Sequence, residues 1–243
     1  MCILRTWRAD VMKAKFWLCG RLILTERNFR EAITSRVIQL MPEIRVSQLL
    51  RNHVEELLVE VAGGRLPQLK TIVGDNSTDF SSIDPELFSQ AVVQLEQCNL
   101  EHCNLSNSQL EAIMNKIIET EDLKLKCLAV DWRKLFPDTD IPADTRARAA
   151  VKLEHTNIHH WLHGSEVINL FQVMADSPIC KMKYLNTAYH FSDTFSDISP
   201  DVLSDALVRV EKVLDYNKMS RHHSRCLLYK IFNSENINIK ERF

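Results

Sequence analysis

Residues Leu95 to Ile118 read LEQCNLEHCNLSNSQLEAIMNKII, a segment in which two kinds of apolar spacing follow one another. Its first part predicts a strand, because Leu95 is followed by apolar residues at Cys98 and Leu100, two positions apart. Its last part predicts a helix, because apolar residues recur at i, i+3, i+4 and i+7, at Leu110, Ile113, Met114 and Ile117. One strand, turn and helix of this size cannot bury both apolar stripes alone. We therefore expect neighbouring units of the same kind.

The same apolar pattern begins seven times along the chain, at Met41, Leu69, Leu95, Leu125, Leu153, Met182 and Val210. Successive starts are 28, 26, 30, 28, 29 and 28 residues apart. This period lies within the roughly 20 to 29 residues of leucine-rich repeats and below the ~33 and ~34 of ankyrin and tetratricopeptide repeats. The units resemble leucine-rich repeats of the ribonuclease-inhibitor type. The resemblance implies an α/β solenoid with a curved parallel sheet on its concave side and helices on its convex side.

Alternate units match each other better than adjacent units do. Ile83-Asp84-Pro85, Ile141-Pro142-Ala143 and Ile198-Ser199-Pro200 recur at steps of 58 and 57 residues. Asp84 and Ser199 each precede a proline, which predicts a capped helix start with proline in the first turn. Ser106 is the predicted cap of the helix that follows Leu105. After the last strand, residues 221–232 predict a closing helix with Leu227, Leu228 and Ile231 turned inward.

Residues 1–36 lack the repeat pattern and are rich in basic and aromatic residues. Trp7-Arg8, followed ten positions after Trp7 by Phe16-Trp17, resembles the C-terminal half of an F-box. That resemblance implies contact with the adaptor subunit of cullin-type ubiquitin ligases. The family's first half, with its Leu-Pro start and first adaptor-contacting helix, has no counterpart here, so we expect weak capture of the adaptor or none. The alternative is that Trp7 and Trp17 cover the apolar end of the repeats.

The expected organisation is a truncated F-box-like helical cap over residues 1–36, the repeats over 37–235 and a frayed tail over 236–243. The hydrophobic content of 45% can supply a substantial core, and the formal charge of −2 provides no basic surface for nucleic acid. No apolar run approaches the ~18 residues of a membrane span. The seven cysteines are scattered, and no two are separated by the two intervening residues of a zinc or redox motif. This distribution favours reduced thiols in the cytoplasm or nucleus.

Charged residues of alternating sign occupy the position after each repeat start from the second unit onward. They are Lys70, Glu96, Lys126, Glu154, Lys183 and Glu211. Parallel strands lie ~4.8 Å apart, so residues at the same offset become lateral neighbours. We therefore predict a ladder of opposite charges across the sheet, which opposes slippage of the strands and is structural rather than a binding site.

Two further rows of equivalent positions are the candidate partner-binding surface. One row holds Asn99, Ala129, Asn157 and Asn186. The next row begins with Ser47, continues with acidic residues from Asp75 onward and ends with neutral and aromatic residues. The candidate binding residues are Asp75, Asn99, Glu101, Asp131, Asn157, His159, Tyr184, Asn186 and Tyr216. A basic or polar segment of a protein partner would fit them, with the tyrosines as anchors. The alternative is an ordinary solvated face.

The sequence contains no motif of an enzyme or cofactor site. Glycine-rich phosphate loops, a Gly-x-Ser-x-Gly motif and paired-histidine zinc motifs are all absent, and only five glycines occur. His155, His159, His160 and His163 do not predict a metal site, because alternation along a strand turns His160 away from His155 and His159. We expect a protein-binding module, related to the substrate receptors of F-box ubiquitin ligases. The alternative is a free-standing repeat scaffold or inhibitor that binds its partner without a ligase.

Overall fold

A computed structural model describes residues 41–49, 51–130, 141–156, 166–186, 197–210, 212–214 and 221–233. In these residues seven strands alternate with seven α-helices. The strands are β1 (Glu43–Arg45), β2 (Thr71–Val73), β3 (Gln97–Leu100), β4 (Cys127–Val130), β5 (His155–Thr156), β6 (Tyr184–Asn186) and β7 (Lys212–Leu214). The helices are α1 (Arg51–Ala62), α2 (Pro85–Gln94), α3 (Asn107–Glu119), α4 (Ala143–Ala150), α5 (Glu166–Asp176), α6 (Pro200–Leu207) and α7 (Arg221–Asn233). A 3-10 turn, Val46–Gln48, follows β1.

The seven strands form one parallel sheet in sequence order, β1 to β7. Each strand begins two residues after the start that the apolar pattern assigns to its unit, as Leu95 precedes Gln97 and Leu153 precedes His155. The predicted period and the α/β class with a parallel sheet are therefore confirmed. A helix crosses between every pair of neighbouring strands, as parallel pairing requires.

The core lies between the helices and one face of the sheet. Within residues 95–118, Cys98 and Leu100 of β3 are buried, and so is the predicted stripe of α3 from Leu110 to Ile117. The first apolar residue of six units is also buried: Leu69, Leu95, Leu125, Leu153, Met182 and Val210. Phe80 packs against Phe88 of α2 with ring centroids 4.9 Å apart. Each unit thus buries its strand stripe and its helix stripe against its neighbours.

Helix starts follow local capping chemistry in the second and third units. Asp84 accepts a hydrogen bond from the Leu87 amide at 2.8 Å, ahead of Pro85, whose missing N–H costs nothing in the first turn. Ser106 and Gln109 form a reciprocal capping box. Ser199 occupies the same position before Pro200, but its side chain accepts no cap hydrogen bond. The prediction for Ser199 is therefore correct in position and wrong in the contact it makes.

The two-unit echo in the sequence corresponds to polar contacts within pairs of units. Gln109 of α3 is fully buried and donates to the carbonyls of Phe80 and Ile83, at 2.5 and 2.8 Å. His223 of α7 lies 2.9 Å from the carbonyl of Ile198, at the corresponding place before α6. Between them, buried Arg146 of α4 contacts Glu166 of α5 at 2.5 Å. The three isoleucines that recur in the echo are all buried, namely Ile83, Ile141 and Ile198.

The closing helix forms where it is predicted, with Leu227 and Ile231 buried. Leu228 is 48% exposed, so the prediction that it faces inward is wrong. Buried residues of α7 recur only at every fourth position, from His223 through Leu227 to Ile231, because the described helices contact it on one side, through α6. Among the described residues no helix has the length and apolar character needed to cross a membrane.

Candidate protein-binding face

One face of the sheet is left open by the helices, as the alternation of burial along the strands shows. In β2, Ile72 is buried while Thr71 and Val73 are not, and the same alternation holds in β1, β3 and β4. Pairing across the sheet sets these open positions into two lateral rows. The first row is Glu43, Thr71, Gln97, Cys127 and His155, and the second row is Arg45, Val73, Asn99 and Ala129.

The middle of this open face carries no charge. Its six side chains on β2, β3 and β4 are Thr71, Val73, Gln97, Asn99, Cys127 and Ala129. Partial burial raises the pKa of the Cys127 thiol, so this side chain is neutral at physiological pH. We call these six residues the neutral strip. Small and uncharged side chains make a surface that another backbone can approach closely without stripping water from charges.

The amino-terminal edge of the neutral strip is bordered by the charge ladder. Glu96 contacts Lys70 at 2.6 Å and Lys126 at 2.8 Å, and Glu154 contacts Lys183 at 2.7 Å. Hydrogen bonds from the two lysines, Lys126 foremost, lower the pKa of Glu96 to about 2. The predicted ladder is confirmed at these rungs, whereas Glu211 lies outside the described residues. Because these charges are matched within the chain, this edge offers little attraction to a charged partner.

The carboxy-terminal edge of the strip is acidic. The Asp75 carboxylate accepts the amide and hydroxyl of Ser77 at 2.9 and 2.5 Å and also bonds the Ser47 hydroxyl, and these bonds lower its pKa. Hydrogen bonds led by the Ser81 side chain lower the pKa of Asp79 in the same way. Glu101 follows directly after β3. Asp75 and Asp79 are therefore ionised at neutral pH and are held by hydrogen-bond donors rather than by lysines.

The structure brings together part of the predicted binding set. Asn99 pairs directly with Ala129, as the predicted row requires, and its side chain accepts the Glu101 amide at 3.2 Å. Tyr184 and Asn186 lie on β6, at register positions beside His155 and Leu214. Seven candidates lie outside the described residues, namely Asp131, Asn157, His159, Tyr216, Trp7, Arg8 and Trp17.

The prediction missed most of the first row, in particular Thr71, Gln97 and Cys127. A signal for them was present, since each stands one residue before the strand's buried residue, at Ile72, Cys98 and Leu128. His155 is exposed in the same row, while His159, His160 and His163 fall outside the described part of the chain. Within that part, no group of three or more histidine, cysteine or acidic side chains is placed to hold a metal ion.

The open face of β2 to β4 is therefore a neutral strip, bordered on one edge by charges that are paired within the chain and on the other edge by acidic residues. In comparisons with known proteins, no family model, curated protein or solved structure matches the chain significantly.

Proposed function

We propose that the chain is a leucine-rich-repeat solenoid that binds a protein partner across the open face of its sheet. The observation that carries the proposal is the neutral strip, in which residues from three strands share two lateral rows. A partner segment that lies across the strands meets Gln97 and Asn99 as hydrogen-bonding groups and Val73 and Ala129 as apolar contacts. Lysine or arginine on the side of the segment that faces Asp75 and Glu101 complements the acidic edge.

Site-specific photocrosslinking in cells tests this proposal. A benzophenone amino acid at Ala129 of the neutral strip should form a covalent adduct of one reproducible mass. The matched control places the same amino acid at Asn115, which is exposed on α3 of the helical layer. Equal adducts at both positions, or none at Ala129, would contradict binding at the open face. Once the partner is identified, Asp75→Lys should weaken its binding and should do so less at high salt.

The more specific form of the proposal is a substrate-recognition receptor related to F-box ubiquitin-ligase subunits. It is supported by the Trp7-Arg8 and Phe16-Trp17 pattern and by the repeats that follow it. The alternative is a scaffold or inhibitor that grips a partner without a ligase, in which Trp7 and Trp17 only cover the end of the repeats.

A pull-down of the cullin-ligase adaptor by the full chain separates these two functions. A receptor retains the adaptor and loses it on Trp17→Ala, while hydrogen exchange of the repeats from β3 onward stays unchanged. A stoichiometric complex would favour the receptor. Capture that is weak or absent would favour the scaffold or inhibitor.

A further inference from the structure

The last described helix, α7, presents a stripe of four exposed side chains. Arg221, Arg225, Leu228 and Phe232 follow one another at spacings of four, three and four residues. This is the a/d spacing of a coiled-coil seam, so the four side chains lie along one line of the helix. Tyr229 is exposed beside the line. The stripe therefore has the spacing of a helix-pairing surface although no described helix pairs with it.

Apolar exposure is concentrated on this helix. Leu228, Tyr229 and Phe232 are three of the five large apolar side chains that are exposed in the described part of the chain, and Tyr229 and Phe232 are 70% and 73% exposed. Neighbouring exposed apolar side chains mark interaction surfaces more often than scattered ones do.

The stripe is polarised from one end to the other. Its amino-terminal half carries Arg221 and Arg225, its carboxy-terminal half carries Leu228 and Phe232, and α7 contains no acidic residue. Lys230 is turned aside and contacts Asp205 of α6 at 2.6 Å. Among the described residues neither arginine forms an ion pair. The stripe thus offers two cations at one end and an apolar surface at the other.

We propose that α7 is the interface of a symmetric dimer, in which α7 of a second copy packs against it in antiparallel orientation. Antiparallel pairing sets Arg221 opposite Phe232 of the second copy and Arg225 opposite Leu228 of the second copy. The two-fold axis makes each contact twice. The guanidinium of Arg221 then lies on an aromatic ring, and the Arg225 stem covers a leucine while its charged end reaches water.

Antiparallel pairing brings fewer like charges together than parallel pairing does, since only the two Arg225 side chains lie near each other, about 4.5 Å apart along the axis beside the two-fold. It places the two Arg221 side chains at opposite ends of the paired helices, about 16 Å apart along the axis. Parallel pairing would set Arg221 against Arg221 and Arg225 against Arg225. The formal net charge of −2 on the whole chain gives little long-range repulsion between two copies. Every group that the dimer needs is present on α7, whereas an acidic partner would have to bring its own carboxylates.

Sedimentation velocity of the full chain tests the proposal. Three apolar side chains and two arginine stems per copy make a small interface, so we expect association at micromolar concentrations, between about 1 and about 200 µM. A monomer at every concentration overturns the proposal. That is the result expected if α7 is covered by another part of the chain or reserved for an acidic protein.

Two variants test the pairing itself. Phe232→Arg sets Arg against Arg221 of the second copy and should weaken dimerisation by about tenfold or more. Adding Arg221→Phe exchanges the two residues, which restores an Arg–Phe contact in the antiparallel pair, so the double variant should regain the wild-type association. Ile179→Arg, at an exposed apolar residue outside α7, is the control and should dimerise like the wild type. Dimerisation that survives Phe232→Arg, or that the exchange fails to restore, overturns the antiparallel pairing. Circular dichroism verifies that each variant is folded.

Discussion

Lys70 and Glu96 are joined through their main chains and through their side chains. The Lys70 main-chain carbonyl accepts hydrogen bonds from the amides of Glu96 and Gln97 at 2.8 and 3.0 Å. The Lys70 side-chain ammonium lies 2.6 Å from the Glu96 carboxylate. Glu96 is linked to Lys126 in the same double way, at 2.8 Å for both contacts. The charge ladder therefore reinforces a register that main-chain hydrogen bonds already define.

Reversing one charge of the ladder should destabilise the sheet modestly. Glu154→Lys places three like charges side by side, at Lys126, position 154 and Lys183. Because exposed pairs are worth at most about 1 kcal/mol, we expect the melting temperature to fall by about 2 to 4 °C at low salt. High salt should recover part of the loss. An unchanged melting temperature at low salt would show that the ladder contributes nothing to stability.

Stability should depend on pH through Glu96. Its pKa is about 2 in the folded chain and 4.5 ordinarily, so the unfolded chain binds more protons between these values. The contribution of Glu96 is therefore fully present above about pH 5 and is lost as the pH falls from 4.5 towards 2. Urea unfolding of wild type and Glu96→Gln should give midpoints that differ at pH 7 and converge near pH 2. A constant difference across this range would contradict the assignment.

Gln109→Met should lower the free energy of unfolding much more than the same substitution at an exposed glutamine. The substitution keeps the side-chain length but leaves the Ile83 carbonyl without its side-chain donor and the Ser106 amide without its acceptor, whereas the Phe80 carbonyl keeps the Ile83 amide. Unsatisfied buried groups cost about 1 to 3 kcal/mol each, so we expect a loss of roughly 2 to 4 kcal/mol in urea unfolding. Gln172→Met, at an exposed position of α5, is the matched control and should change the free energy of unfolding by less than about 0.5 kcal/mol. Similar losses for both variants would remove Gln109 from its structural role.

Position 74 has no room for a side chain because the Cys103 side chain lies against it. A Cβ atom at position 74 would stand 2.1 Å from the Cys103 Sγ, so Gly74→Ala forces the thiol or the loop to move. We expect the substitution to cost about 1 to 3 kcal/mol. Removing the sulfur should relieve the clash, so Gly74→Ala should cost clearly less when it is made in a Cys103→Ala background. A double-mutant cycle by chemical denaturation measures the difference. Additive effects would place the strain elsewhere.

The sequence was sufficient for the repeat units because each needs only local patterns. The spacing of Leu95, Cys98 and Leu100 predicted the strand, and Ser106 predicted the helix start, whereas the reciprocal bond from Gln109 appeared only in the structure. Contacts between units were harder to foresee. Leu228 looked apolar enough to be buried, but burial depends on whether a second helix packs on that side of α7. Ser199 has the right residue type for a cap, yet its side chain makes no such bond.

The candidate binding face likewise has features that the sequence predicts and features that it does not. Asn99 and Ala129 were placed side by side from the repeat register alone, and pairing across the sheet confirms it. The same register placed Ser47 beside Asp75, and the two side chains are hydrogen-bonded, whereas the donors of Ser77 belong to the loop after β2 and could not be predicted from the repeat pattern. Specificity for a partner depends on such details of charge and donor placement, which the repeat pattern leaves variable.

The buried polar contacts within pairs of units also bear on how such a chain could grow or shrink. Gln109, Glu166 and His223 each belong to the second helix of a pair and bond a group in or just before its first helix. Excising a single unit would strand one half of such a contact in the interior, whereas excising a whole pair would remove both halves. Length changes should therefore be tolerated in steps of about 57 residues rather than 28, which makes the pair the natural building block for duplication and for engineered arrays.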